Sequence, residues 1–129
     1  MGRLTKEQIE DAVYEIREFL YDNDMFQGVT IYFNGKRIMS GWDYWMYVLK
    51  GDEAQEEVSE EMYMEQECDV WDYIPEADDE TLIAMSYEGE FYALMNTGDY
   101  PDEKKEFMEI LDSHKLRMYP VDGCRMLLC

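Results

Sequence analysis

The dipeptide Asn34-Gly35, set between residues 28–33 and Lys36–Ser40, constrains the fold of this chain more than any other feature. A two-residue hairpin turn that matches the twist of its strands needs a left-handed backbone at both central positions, which Asn and Gly tolerate at least cost. The flanks carry Val29, Ile31, Tyr32, Phe33 and Ile38, residue types that suit strands. An antiparallel hairpin is expected here, as part of a sheet large enough to cover a hydrophobic face.

Helices are signalled at two places. Thr5 and Gln8 have the spacing of a capping box, and Ile9, Ala12, Val13, Ile16, Phe19 and Leu20 then repeat on one helical face, which predicts a helix over Lys6–Asp22 stopped by Asn23 and Asp24. Pro101 suits a first helical turn, and Phe107, Ile110, Leu111 and His114 form a stripe, predicting a helix over Pro101–Ser113.

Residues 81–87 and 90–96 about Glu88-Gly89 read as a second hairpin, and residues 116–119 and Arg125–Leu128 as a terminal one turning through residues 120–123. Residues 68–74 read as a short strand ended by Pro75. Residues 52–67 read as a helix, because Ala54, Val58 and Met62 recur every four positions without Gly or Pro. Residues 42–50 suit helix and strand equally. The expected fold class is α+β: one domain over residues 1–129, an antiparallel sheet built from hairpins and packed with two to three α-helices, with an acidic insertion at about 42–67.

Charge narrows the function classes. The chain carries 31 acids against 11 bases, a formal net charge of −20. The excess is localised: residues 51–103 hold 19 acids and no base, while the other 76 residues hold 12 acids and 11 bases. Affinity for nucleic acids and anionic membranes comes largely from Lys and Arg, so direct binding to either is disfavoured. A directed field of this sign favours a cationic partner and speeds its association. Leu, Ile, Val and Phe make up only 27 of 129 residues, and the core must draw on 11 Tyr, 11 Met and 3 Trp.

Enzyme signatures are missing from the sequence. His114 is the one histidine, which leaves no HExxH or Cys₂His₂ zinc pattern, and its position at a helix end suits capping or packing. There is no Gly-rich phosphate loop, dinucleotide fingerprint or nucleophile elbow. Asp22, Asp24 and Gly28 resemble half of a calcium loop whose closing Glu is missing, and Asp78, Asp79 and Glu80 are consecutive where calcium ligands alternate. We therefore expect no catalytic residue, no metal site and no cofactor. Cys68, Cys124 and Cys129 are an odd set without paired spacing and read as free thiols. With no apolar run long enough to span a bilayer and no signal-peptide pattern, a cytoplasmic protein is expected.

In a helix over residues 52–67, Glu53, Glu57, Glu61 and Glu65 form an i, i+4 column rising about 6 Å per step, with Glu56 and Glu60 beside it. Like charges at that spacing destabilise a helix by roughly 0.2–0.5 kcal/mol per pair, a repulsion that a cationic partner relieves. Trp42, Tyr44, Trp45, Tyr47, Tyr63, Trp71 and Tyr73 are interleaved with the charge, as core residues or as interface anchors. The candidate partner-binding residues are Glu53, Glu56, Glu57, Glu60, Glu61, Glu65, Glu67, Asp69, Asp72, Trp42, Tyr44 and Trp45. A solvated face that keeps the chain soluble is the competing reading of the same acids.

Residues 32–37 (Tyr-Phe-Asn-Gly-Lys-Arg), 72–74 (Asp-Tyr-Ile) and 81–96, with Met85, Glu88, Gly89, Tyr92 and Asn96, resemble a family of small acidic proteins of phages and mobile elements of Firmicutes. The resemblance covers about a fifth of the chain and carries over no catalytic residue. The insertion at 42–67 departs from it. In composition the chain is similar to anti-CRISPR and anti-restriction proteins that present carboxylates in place of phosphates. That similarity implies a non-enzymatic inhibitor, a DNA mimic whose acidic surface occupies the basic groove of a nucleic-acid-binding nuclease or CRISPR effector. A general protein–protein interaction module using an exposed Trp/Tyr surface is the alternative.

Overall fold

A computed structural model describes residues 4–40 and 63–129, the side chains of residues 63–66 apart. Its elements run α1 (Lys6–Asp22), β1 (Val29–Phe33), β2 (Lys36–Ser40), β3 (Tyr63–Glu67), a 3₁₀ turn (Val70–Asp72), β4 (Ile83–Tyr87), α2 (Gly89–Asn96), α3 (Pro101–Ser113), β5 (Met118–Asp122) and β6 (Arg125–Leu128). The strands form one antiparallel sheet in the order β3-β2-β1-β4-β6-β5. This is an α+β fold.

Local chemistry accounts for the first elements. The Thr5 hydroxyl accepts from the Gln8 amide at 3.1 Å, and the Gln8 side chain accepts from the Thr5 amide at 2.8 Å, closing the capping box of α1. Asn34 and Gly35 both take positive φ, 50° and 75°, as the β1–β2 turn requires. Thr30, Ile31, Tyr32 and Phe33 stand opposite Met39, Ile38, Arg37 and Lys36.

Alternation then splits the sheet into two faces. Val29, Ile31, Phe33, Ile38, Ile83, Met85, Tyr87, Met126 and Leu128 join the buried faces of α1, α2 and α3 in the main core. Phe91 of α2 sits edge-on to Tyr87 at 5.0 Å and to Phe107 of α3 at 5.1 Å, an arrangement aromatic rings favour. His114 caps α3 and reaches Glu15 of α1 at 2.8 Å, a structural position. The opposite face buries Tyr32, Ala84 and Leu127 in a second, smaller cluster.

Three expectations are corrected. Residues 90–96 lie in α2, because Phe91 and Leu94, three apart, are both buried; an alternating strand would have put them on opposite faces. Glu88-Gly89 accordingly leads into a helix and does not turn a hairpin. Residues 63–67 pair with β2 as a strand, which overturns the helix at that end of residues 52–67. Residues 68–74 contain a 3₁₀ turn with Asp69 as its cap. The terminal hairpin is present, with its strands reaching Asp122 and resuming at Arg125.

Candidate partner-binding surface

The sheet order dictates where the acidic segment goes. β3 lies at one edge and β4 beyond β2 and β1, so residues 68–82 must cross the sheet to connect them. They cross on the face away from the helices, where Val70, Ile74 and Ala77, spaced four and three apart, pack on Tyr32, Ala84 and Leu127. Ile74 is fully buried. The outward side of this strap is left to Asp69, Asp72, Glu76, Asp78, Asp79 and Glu80, all exposed, with exposed Glu67 leading into it at the end of β3.

Several interactions hold the strap in shape. The Asp69 carboxylate accepts from the Trp71 amide at 3.0 Å, and Trp71 Nε1 donates to the Ala77 carbonyl at 2.6 Å. Asp78 Oδ1 accepts from the Glu80 amide at 2.9 Å, and the Thr81 hydroxyl accepts from the Asp78 amide at 3.1 Å. The Cys68 amide donates to the Gly35 carbonyl at 3.0 Å, tying the strap to the first hairpin. Tyr73 stacks on Tyr32 with centroids 5.4 Å apart, and the Arg37 guanidinium lies 4.4 Å from the Tyr73 centroid. Trp71 nevertheless remains 51% exposed and Tyr73 43%.

Arg125 of β6 forms an ion pair with the strap. Its Nη1 reaches both oxygens of Glu76 at 3.0 and 3.3 Å, while Nε and Nη2 hold Asp122 Oδ2 at 2.9 and 2.7 Å. That guanidinium, with help from the Cys124 amide, holds the Asp122 carboxyl down at about 2. Burial pushes the Cys68 thiol and the Tyr32 phenol up, so both stay protonated near neutrality. Asp69, Asp72, Asp78, Asp79 and Glu80 make no ion pair among the described residues. The strap therefore projects a net negative field in which, among the described residues, Glu76 alone of its outward acids is ion-paired, with two aromatic rings inside it.

Two open clefts flank the strap. One, of about 390 Å³, is lined by Phe33, Lys36, Asp69, Val70, Trp71 and Leu82 among others. The second, of about 510 Å³, lies beside Arg37, Tyr73, Ser86, Cys124 and Arg125. Among the described residues no group of His, Cys, Asp or Glu is arranged to hold a metal ion. Nor, among them, is any helix long and apolar enough to cross a membrane.

Of the residues singled out in the sequence, Asp69 and Asp72 stand on the strap, and Glu67 ends β3 opposite Lys36. Glu65 is a strand residue opposite Ile38, so it does not continue a helical column of glutamates. Glu53, Glu56, Glu57, Glu60, Glu61, Trp42, Tyr44 and Trp45 lie outside the described residues. Sequence reasoning missed Glu76, Asp78, Asp79 and Glu80 as parts of one surface. The spacing of Val70, Ile74 and Ala77 could have found them, since it makes one side of this acidic stretch inward-facing. No protein-family model, curated protein or solved structure matches this chain.

Proposed function

We propose that this protein is a non-enzymatic inhibitor of the anti-CRISPR or anti-restriction type, which lays its acidic surface into the basic nucleic-acid groove of a defence nuclease. The observation that carries the reading is the strap. Residues 67–80 contain seven acids and no base, and buried Ile74 and Ala77 anchor this stretch so that its carboxylates face outward. Carboxylates fixed on a rigid backbone avoid much of the ordering cost that a flexible acidic tail would incur on binding. The resemblance to small acidic proteins of phages and mobile elements points the same way, because such elements meet host nucleases.

The test is capture from a bacterial lysate containing a CRISPR effector at about 50 and about 300 mM salt, a range over which polyelectrolyte contacts weaken strongly. Capture of the effector at low salt, its loss at high salt, and loss of its cleavage activity when the protein is added are expected. A second reading, an interaction module that binds through its rings, is favoured by the exposure of Trp71 and Tyr73. It predicts capture that survives the higher salt.

A further inference from the structure

We infer that the 390 Å³ cleft beside the strap is a receptor for a single arginine side chain of the partner protein, a reading that rests on the proposed function and names the chemistry its surface recognises. Val70 and Leu82 offer apolar surface for an aliphatic stem, Trp71 offers a half-exposed indole, and Asp69 contributes a carboxylate to the lining. A guanidinium combines the two preferences this lining offers: it stacks on aromatic faces, and its planar fork fits a carboxylate. Asp69 Oδ1 is engaged by the Trp71 amide, and Oδ2 makes no hydrogen bond among the described residues.

The molecule already shows the pairing in miniature. Two residues along the strap, Arg37 lies over Tyr73 at 4.4 Å, whereas among the described residues no cation lies over Trp71. Lys36, the one base lining the cleft among the described residues, directs its ammonium to Glu10 at 3.4 Å and over the Phe33 ring at 5.1 Å, so its charge is largely compensated. Trp71 itself is held by its Nε1 bond to Ala77, which fixes the ring before a ligand arrives.

The probe is the blocked tripeptide Gly-Arg-Gly, compared with its lysine and citrulline counterparts, titrated into the full chain while the Trp71 indole and the Asp69 and Thr81 amide resonances are followed. The arginine peptide is expected to shift all three saturably, the lysine peptide to bind about two- to fivefold more weakly, and the citrulline peptide to leave them in place. Asp69→Asn, which keeps an oxygen for the Trp71 amide, is expected to weaken the arginine peptide and leave the fold unchanged. Equal shifts from all three peptides, or shifts confined to other surfaces, would overturn the inference. Arginine binding without effector capture would instead defeat the inhibitor reading and leave this site standing, while capture undiminished in Trp71→Phe and Asp69→Asn would remove the site and leave that reading intact.

Discussion

Arg37 lies on the sheet face away from the helices with its guanidinium 4.4 Å from the centre of the Tyr73 ring, joining strand β2 to the acidic strap that crosses it. Tyr73 in turn stacks on Tyr32 of β1. Arg37, these two rings, the buried Ile74 and the Arg125–Glu76 pair thus hold the acidic segment against the sheet. Ile74, fully buried, is the principal anchor of the strap. Truncating a fully buried aliphatic costs about 2–5 kcal/mol, so Ile74→Ala should lower the urea midpoint correspondingly. The Ile74 and Ala77 amides, which close turns within the strap, should then lose more hydrogen-exchange protection than those of β1. Uniform loss across the sheet would show that the strap is not a separately anchored unit.

Arg125 and Asp122 give an acid-side signature. The folded Asp122 carboxyl sits at about 2, below its ordinary 3.8. Its contribution to stability is therefore complete above about pH 4 and disappears as the pH falls toward 2. Carbon-detected titration of the Asp122 carboxyl should give a midpoint near 2, returning toward 3.8 in Arg125→Gln. The same variant should release Glu76 and loosen the strap at neutral pH.

Tyr87 gives the alkaline counterpart. Burial, reinforced by the nearby Cys124 and Asp122, pushes its phenol up to about 12 from 10.0. The neutral ring is thus favoured in the folded state. The stability this provides is present below pH 10 and is lost as the pH rises through 12. Ultraviolet titration should show late tyrosine ionisation extending to about pH 12, and Tyr87→Phe should reduce the amplitude of that late step. It should also flatten the fall in stability between those values.

The fold was legible wherever local chemistry decides the backbone. Thr5 with Gln8, Asn34 with Gly35, and Pro101 each fix an element through one or two short-range interactions, and α1 and α3 fall where those residues place them. Glu88-Gly89 misled because a glycine at positive φ serves a helix start as readily as a hairpin, and the choice is made by Phe91 packing between Tyr87 and Phe107. The strap was illegible for a related reason. Its acids are visible in sequence, but their alignment on one side depends on Ile74 and Ala77 meeting Tyr32 and Leu127, partners about 40 to 50 positions away. The stretch without bases over residues 51–103 includes the strap, but the helix expected over residues 52–67 does not extend over residues 63–67.

The α1 cap offers a clean local check. Removing the Thr5 hydroxyl leaves the Gln8 amide without its partner, so Thr5→Ala should cost about 1 kcal/mol in urea unfolding. Thr5→Ser should recover most of that loss. Salt dependence of effector capture should be unchanged in both variants, because the cap lies on α1, away from the strap.

If strap carboxylates meet a basic groove, the affinity for the captured effector must depend on salt and on those carboxylates, which is measured with the unaltered protein and with Asp72→Lys, Asp79→Lys and Glu80→Lys combined. These three side chains make no hydrogen bond or ion pair among the described residues, so their reversal should leave the strap folded. We predict that the affinity of the unaltered protein falls steeply and linearly on a logarithmic salt scale, and that the triple variant loses binding already at about 50 mM salt. Affinity that is flat with salt, or a triple variant that binds as well as the unaltered protein, would contradict the account.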